Sequence, residues 1–193
     1  MKFSSAAGCF AVGLAALSVV GCRDSAATIS ASRLDASYTV PHHLLVFSDV
    51  GIVLKNKHDG DEEDILASEF VGALGKCGVT SSYLKKRPID TQLTLDDTAK
   101  LKDDRGLSGN SFAADAILDI QWTRQTKSTG GPGTANYDLT LVDFKTRQPV
   151  WKAQMDFVSA WYGGQRFAAT LVDRLKQDGL IPASCVTPIV PKA

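Results

Sequence analysis

The chain has 193 residues, with 21 Lys and Arg against 21 Asp and Glu, a formal net charge of zero and 44% hydrophobic residues. That length suits one domain with short appendages. The even charge excludes a strong electrostatic footprint for nucleic acid and a polybasic membrane clamp, since Lys85-Lys86-Arg87 is the one basic cluster and reads as a solvated strand end.

Lys2 precedes an uncharged stretch from Phe3 to Cys22, whose apolar run Ala11 to Val20 has the length of a secretory h-region. Its end, Val19-Val20-Gly21-Cys22, resembles the lipobox of bacterial lipoproteins. The resemblance implies removal of residues 1–21 and a diacylglyceryl thioether plus an N-acyl chain, such as palmitate, on Cys22. Each buried methylene contributes about 0.8 kcal/mol, so several chains on one cysteine anchor stably in a lipid bilayer. Arg23 follows the cysteine and Asp24 comes one place later. By the same resemblance this favours the outer membrane, facing the periplasm. An uncleaved membrane span and an ordinary signal-peptidase site are the alternatives.

Residues 22–41 are rich in Ser, Ala and Thr and read as a flexible tether ending at Pro41. Leu44 to Phe47 is a short apolar run typical of a buried strand, with Val50 to Leu54 as an extension. The acidic run Asp59 to Asp64 suits a helix N-terminus. Leu66, Phe70, Ala73 and Cys77 then share one helical face up to about Gly75. Val79 to Leu84 forms a second strand, and residues 90–111 are polar, with Gly106, Gly109 and Asn110 predicting a loop. Strands over Asp115 to Arg124, Tyr137 to Phe144 and Val150 to Val158 make a meander, the first two joined by a loop on Gly130-Gly131-Pro132-Gly133. A last helix covers Gln165 to Gln177 and stops at Gly179.

The predicted fold class is α+β: a two-layer sandwich with a mainly antiparallel sheet of 4–5 strands and two amphipathic helices on one face. The domain spans residues 42–185, and a Pro-rich tail covers 186–193. With Cys22 assigned to lipid, Cys77 and Cys185 remain, and two cysteines in an exported domain predict a disulfide. The alternative is a pair of buried free thiols.

Three stretches carry a further likeness. They are Leu44 to Phe47 before its helix, Ala114-Asp115-Ala116-Ile117-Leu118, and Leu139 to Thr146 followed by Val150-Trp151. Together they resemble the small α+β domain of envelope lipoproteins such as the curli-secretion lipoprotein family and the activators of penicillin-binding proteins. Arg147-Gln148-Pro149 replaces the Gly usual in that turn. The likeness implies fold and compartment and no catalytic residues.

Candidate sites are sparse. His42, His43 and His58 with the acids at 59–64 invite a metal, but adjacent strand residues point to opposite faces, and Asp64 stands where a calcium loop needs Gly. The loop at 130–133 precedes a strand, whereas a phosphate loop precedes a helix. Asp115 and Asp119, as strand residues i and i+4, stand about 13 Å apart, too far for joint acid–base work. Trp161 and Tyr162, beside Gly163-Gly164, form a candidate contact patch, or else close the edge of the core. The sequence therefore assigns no catalytic residue, cofactor or metal. It points to a non-enzymatic envelope lipoprotein that binds a protein partner or assists assembly. A ligand or glycan binder in polysaccharide or lipid export and an envelope hydrolase are the alternatives.

Overall fold

The computed structural model describes residues 26–50, 62–85, 108–126, 133–158 and 162–191. In chain order the elements are β1 (Ala26–Arg33), β2 (His43–Asp49), α1 (Glu62–Gly75), β3 (Thr80–Lys85), a short α2 at 108–112, β4 (Ala116–Thr126), β5 (Thr134–Asp143), β6 (Pro149–Val158) and α3 (Gly163–Gln177). They build one six-stranded sheet in the order β1-β6-β5-β4-β2-β3.

The sheet is α+β in class but has six strands rather than 4–5, and it is mixed. β1, β6, β5 and β4 pair antiparallel, while β2 lies parallel between β4 and β3. The extra strand is β1, which occupies the segment expected to be a tether. Its alternation sets Ala27, Ile29 and Ala31 against the core and leaves Thr28, Ser30 and Ser32 exposed. Small side chains gave this segment the composition of a linker. Eight register pairs with β6, from Ala26↔Val158 to Arg33↔Trp151, make it a strand.

α1 and α3 pack against each other and against one face of the sheet. Trp151, Tyr137, Phe70, Phe157 and Phe167 are the largest fully buried side chains. Tyr137 and Phe167 meet edge-on with ring centroids 5.0 Å apart, an arrangement that adds about 0.5–1.5 kcal/mol beyond burial. Cys77, just past α1, and Cys185, past α3, are joined in a disulfide with Cα atoms 4.8 Å apart and a sequence separation of 108. Gly78 and Gly179 adopt positive φ where each helix has ended.

The second face of the sheet is divided. At one corner Leu45, Ala114 and Ile117 form a small apolar cluster with Phe47, Leu84, Phe112 and Phe144. α2 supplies Phe112 there, so the loop expected around Gly109 and Asn110 is a short helix under Phe144. A Cβ on Gly109 would lie 2.2 Å from the Phe144 ring. The sandwich is thus two layers over most of its area and three at that corner. Beyond it, among the described residues, the face is open and polar.

Candidate functional site

The open face carries a shallow groove among the described residues. This groove of about 510 Å³ crosses β1, β6 and β5, lined by Ser30, Ser32, Asp138, Thr140, Lys152 and Gln154 with apolar Ala31, Leu34, Leu139 and Ala153 beneath and beside them. These polar residues come from alternate positions of three neighbouring strands, so the pleat places them on one side. In register terms Ser30 stands beside Gln154, Gln154 beside Asp138, Ser32 beside Lys152, and Lys152 beside Thr140. The Gln154 amide donates to Asp138 Oδ1 at 3.4 Å. One row further along, the Asn136 amide donates to Asp156 Oδ1. Hydroxyls, an amide, a carboxylate and an ammonium offer both donors and acceptors to a polar ligand. The alternation of β6 made Lys152 and Gln154 readable as outward-facing, and Asp138 joins them through the β5–β6 register. Ser30 and Ser32 were missed with their strand.

The sequence-predicted residues fall elsewhere. Cys22, Trp161 and His58 lie outside the described residues, as does most of the glycine loop at 130–133. The register Thr126↔Thr134 places that loop between antiparallel strands. Tyr162 is half-buried and takes a left-handed backbone at the N-cap of α3. It is followed by buried Gly163 and Gly164, and the position of Gly164 explains its size. A Cβ on Gly164 would lie 2.3 Å from the Glu62 carbonyl oxygen and 2.9 Å from Leu66 N. Here the N-termini of α1 and α3 converge. Glu62 is 5% exposed, and its carboxylate accepts the Gly164 N–H at 2.7 Å, which places a negative charge on an N-terminal helix dipole. The acidic run therefore serves a second helix as well as its own. On β5 nearby, burial pushes the Tyr137 phenol well above its ordinary range, with Asp49 and Glu63 adding to the effect. The neutral hydroxyl donates to the Val50 carbonyl at 3.0 Å.

His43 begins β2 and His42 directly precedes it, and their backbone N–H groups both donate to Asp115 Oδ2 at 2.9 Å. That carboxylate also lies 3.5 Å from His43 Nδ1. Asp115 thus ties the start of β2 to the start of β4, while Asp119 accepts from the Gln121 amide. The two carboxylates expected to stand apart have separate structural partners. Among the described residues no group of three or more His, Cys, Asp and Glu side chains could hold a metal ion.

A second polar cluster, absent from the sequence reading, fastens β1 down. Asp178 Oδ2 accepts the Trp151 indole N–H at 2.6 Å and Arg174 Nε at 2.8 Å. The Arg33 guanidinium donates to the carbonyls of Asp178, Tyr38 and Asp35. Arg174 also reaches the Ala31 carbonyl at 3.3 Å. Burial holds the Tyr38 phenol high, at about 12, with Asp143 and Asp115 contributing. These contacts join β1, β6 and the C-terminal end of α3, and they account for the buried end of Trp151.

No protein-family model matches the chain, and no curated protein does. Among solved structures it is similar to a PelC dodecamer from Paraburkholderia phytofirmans, at 14% identity and a TM-score of 0.47, over 81% of this chain and 99% of that one. A substituted form of the same protein matches at 16% identity and 0.46, over 81% and 100%. Lipoprotein GNA1162 from Neisseria meningitidis matches at 15% identity and 0.37, over 71% and 99%. At these levels the likenesses assign no family.

Proposed function

We propose that the chain is a lipid-anchored lipoprotein of the bacterial envelope, held at the outer membrane and facing the periplasm, whose α+β domain binds a partner protein and carries out no chemistry of its own. The observation that carries this reading is the Cys77–Cys185 disulfide in a chain whose apolar N-terminal run ends Val19-Val20-Gly21-Cys22. A disulfide belongs to an oxidising compartment, and the lipobox-like ending supplies the anchor. The candidate residues for chemistry, Asp115 and Asp119, are engaged in joining or bracing strands, which supports a binding role. To test the anchor, cells are fed an alkynyl palmitate analogue and fractionated. The wild-type chain takes up the label and sediments with membranes, and Cys22→Ser does neither. An unlabelled wild type, or a Cys22→Ser variant that remains membrane-bound, refutes the anchor. To test the binding role, the chain is crosslinked in intact cells and purified. A recovered set no different from a mock purification counts against an envelope partner.

A second reading, a glycan binder in polysaccharide or lipid export, is favoured by the groove across β1, β6 and β5, because its mix of hydroxyl, amide and carboxylate groups suits a polyhydroxylated ligand. Calorimetric titration of the purified domain with envelope glycan fragments tests it. Binding that weakens in Asp138→Ala supports this reading, and binding indifferent to that change removes the groove from it.

A further inference from the structure

The placement of β1 changes what the anchor does. Composition suggested a tether of about 20 residues, which as a flexible coil has an r.m.s. span of roughly 25 Å and lets a domain turn freely. The sheet instead begins at Ala26, so only Arg23, Asp24 and Ser25 separate it from Cys22. Four residue steps reach at most about 14 Å when fully extended. The strands are longer than that, since ten residues of β5 span about 30 Å. A stem shorter than the body it holds selects one end of that body.

The register says which end. Ala26 stands opposite Val158, Val158 opposite Thr134, and Thr134 opposite Thr126. These four residues are uncharged, but Arg23, Asp24, Arg124 and Lys127 flank them in the sequence. The other end of the same strands is ringed by Arg33, Asp35, Asp115, Asp143, Lys145 and Arg147. Both ends thus bear charge, and the short stem is what selects the end at Ala26.

We propose that the sheet end formed by Ala26, Val158, Thr134 and Thr126 is a membrane-apposed surface whose partner is the lipid bilayer, while the opposite end, with the groove beside Ser32 and Lys152, faces away from it. This orientation rests on the lipid-anchor reading of Cys22. It makes the open face a wall standing upright on the membrane, reachable from the side.

The test uses the full lipidated protein in vesicles with an energy-transfer acceptor on the lipid headgroups. A single dye is attached at Thr134→Cys or Thr126→Cys near the membrane, or at Arg147→Cys at the far end, with Cys77 and Cys185 left bonded. Transfer is expected to be several-fold stronger from positions 126 and 134 than from 147. A flexible insertion of roughly 20 residues between Ser25 and Ala26 is expected to level the three. Equal transfer from all three positions with the native stem, or stronger transfer from 147, in protein that floats with the vesicles, overturns the orientation and leaves the anchor standing. Protein that fails to float overturns both.

Discussion

The two faces of the sheet are built from alternate residues of the same strands and have opposite characters. On one, Leu118, Ile120, Tyr137, Leu139, Trp151, Met155 and Phe157 are sealed beneath α1 and α3. On the other, outside the α2 corner, Asp138, Thr140, Lys152 and Gln154 meet solvent beside Ser30 and Ser32. The helix-covered face holds the stability, because apolar burial contributes about 25 cal/mol per Å². The open face is costly to keep unless something uses it or water covers it well, and its polarity makes water a good cover. A binding role can therefore be added to or removed from the open face without endangering the fold.

The strongest way to break this contrast is at the covered face. Phe167→Ala, at a side chain with no exposure that touches Tyr137 and Phe157, is expected to lower unfolding free energy by about 3–5 kcal/mol, read from a urea midpoint. Replacing Cys77 and Cys185 together by alanine removes the clasp across the ends of α1 and α3. That double change is expected to cost about 2–5 kcal/mol, with a matching fall in wild-type stability on adding reductant. Asp178→Ala leaves the Trp151 indole and Arg174 without their carboxylate and is expected to cost about 1–3 kcal/mol. Hydrogen exchange in that variant should rise first in β1, the strand the cluster fastens.

Titration gives a smaller effect. The Tyr38 phenol is raised from 10.0 to about 12 in the fold, so the neutral form is favoured there relative to the unfolded chain. Its contribution is complete below pH 10 and is lost as pH rises towards 12. Thermal midpoints should fall over that interval, and the fall should be shallower in Tyr38→Phe. The smallest effect lies on the open face. Gln154→Ala is expected to change stability by no more than about 0.5 kcal/mol. A larger loss would mean that the groove residues support the fold and are not free for recognition.

Much of this contrast was readable in the sequence. The period-2 alternation of Trp151, Ala153, Met155 and Phe157 against Lys152, Gln154 and Asp156 placed β6 with the correct residues inward. The stripe of Phe167, Leu171 and Leu175 did the same for α3. β1 was not readable, because Ala-Ala-Thr-Ile-Ser-Ala-Ser has little apolar mass and its strand character comes from β6, far along the chain. The groove was lost with it, since a site assembled from three strands has no local motif. The parallel pairing of β2 with β4 and β3 was equally hidden, because nothing within a strand records the direction of its neighbour. The Arg33–Asp178 cluster joins residues that are distant in sequence, and neither has a flanking pattern that marks it.

The pairing of β1 with β6 also orders events in time. β1 is among the first parts of the domain to be made, and its partner strand among the described residues, at 149–158, is among the last. Closing so long a loop is slow compared with forming a local hairpin such as β5–β6. Residues 26–33 thus stay without their β6 partner until nearly the whole chain has been delivered, so a chain cut short before β6 leaves the β1 edge open.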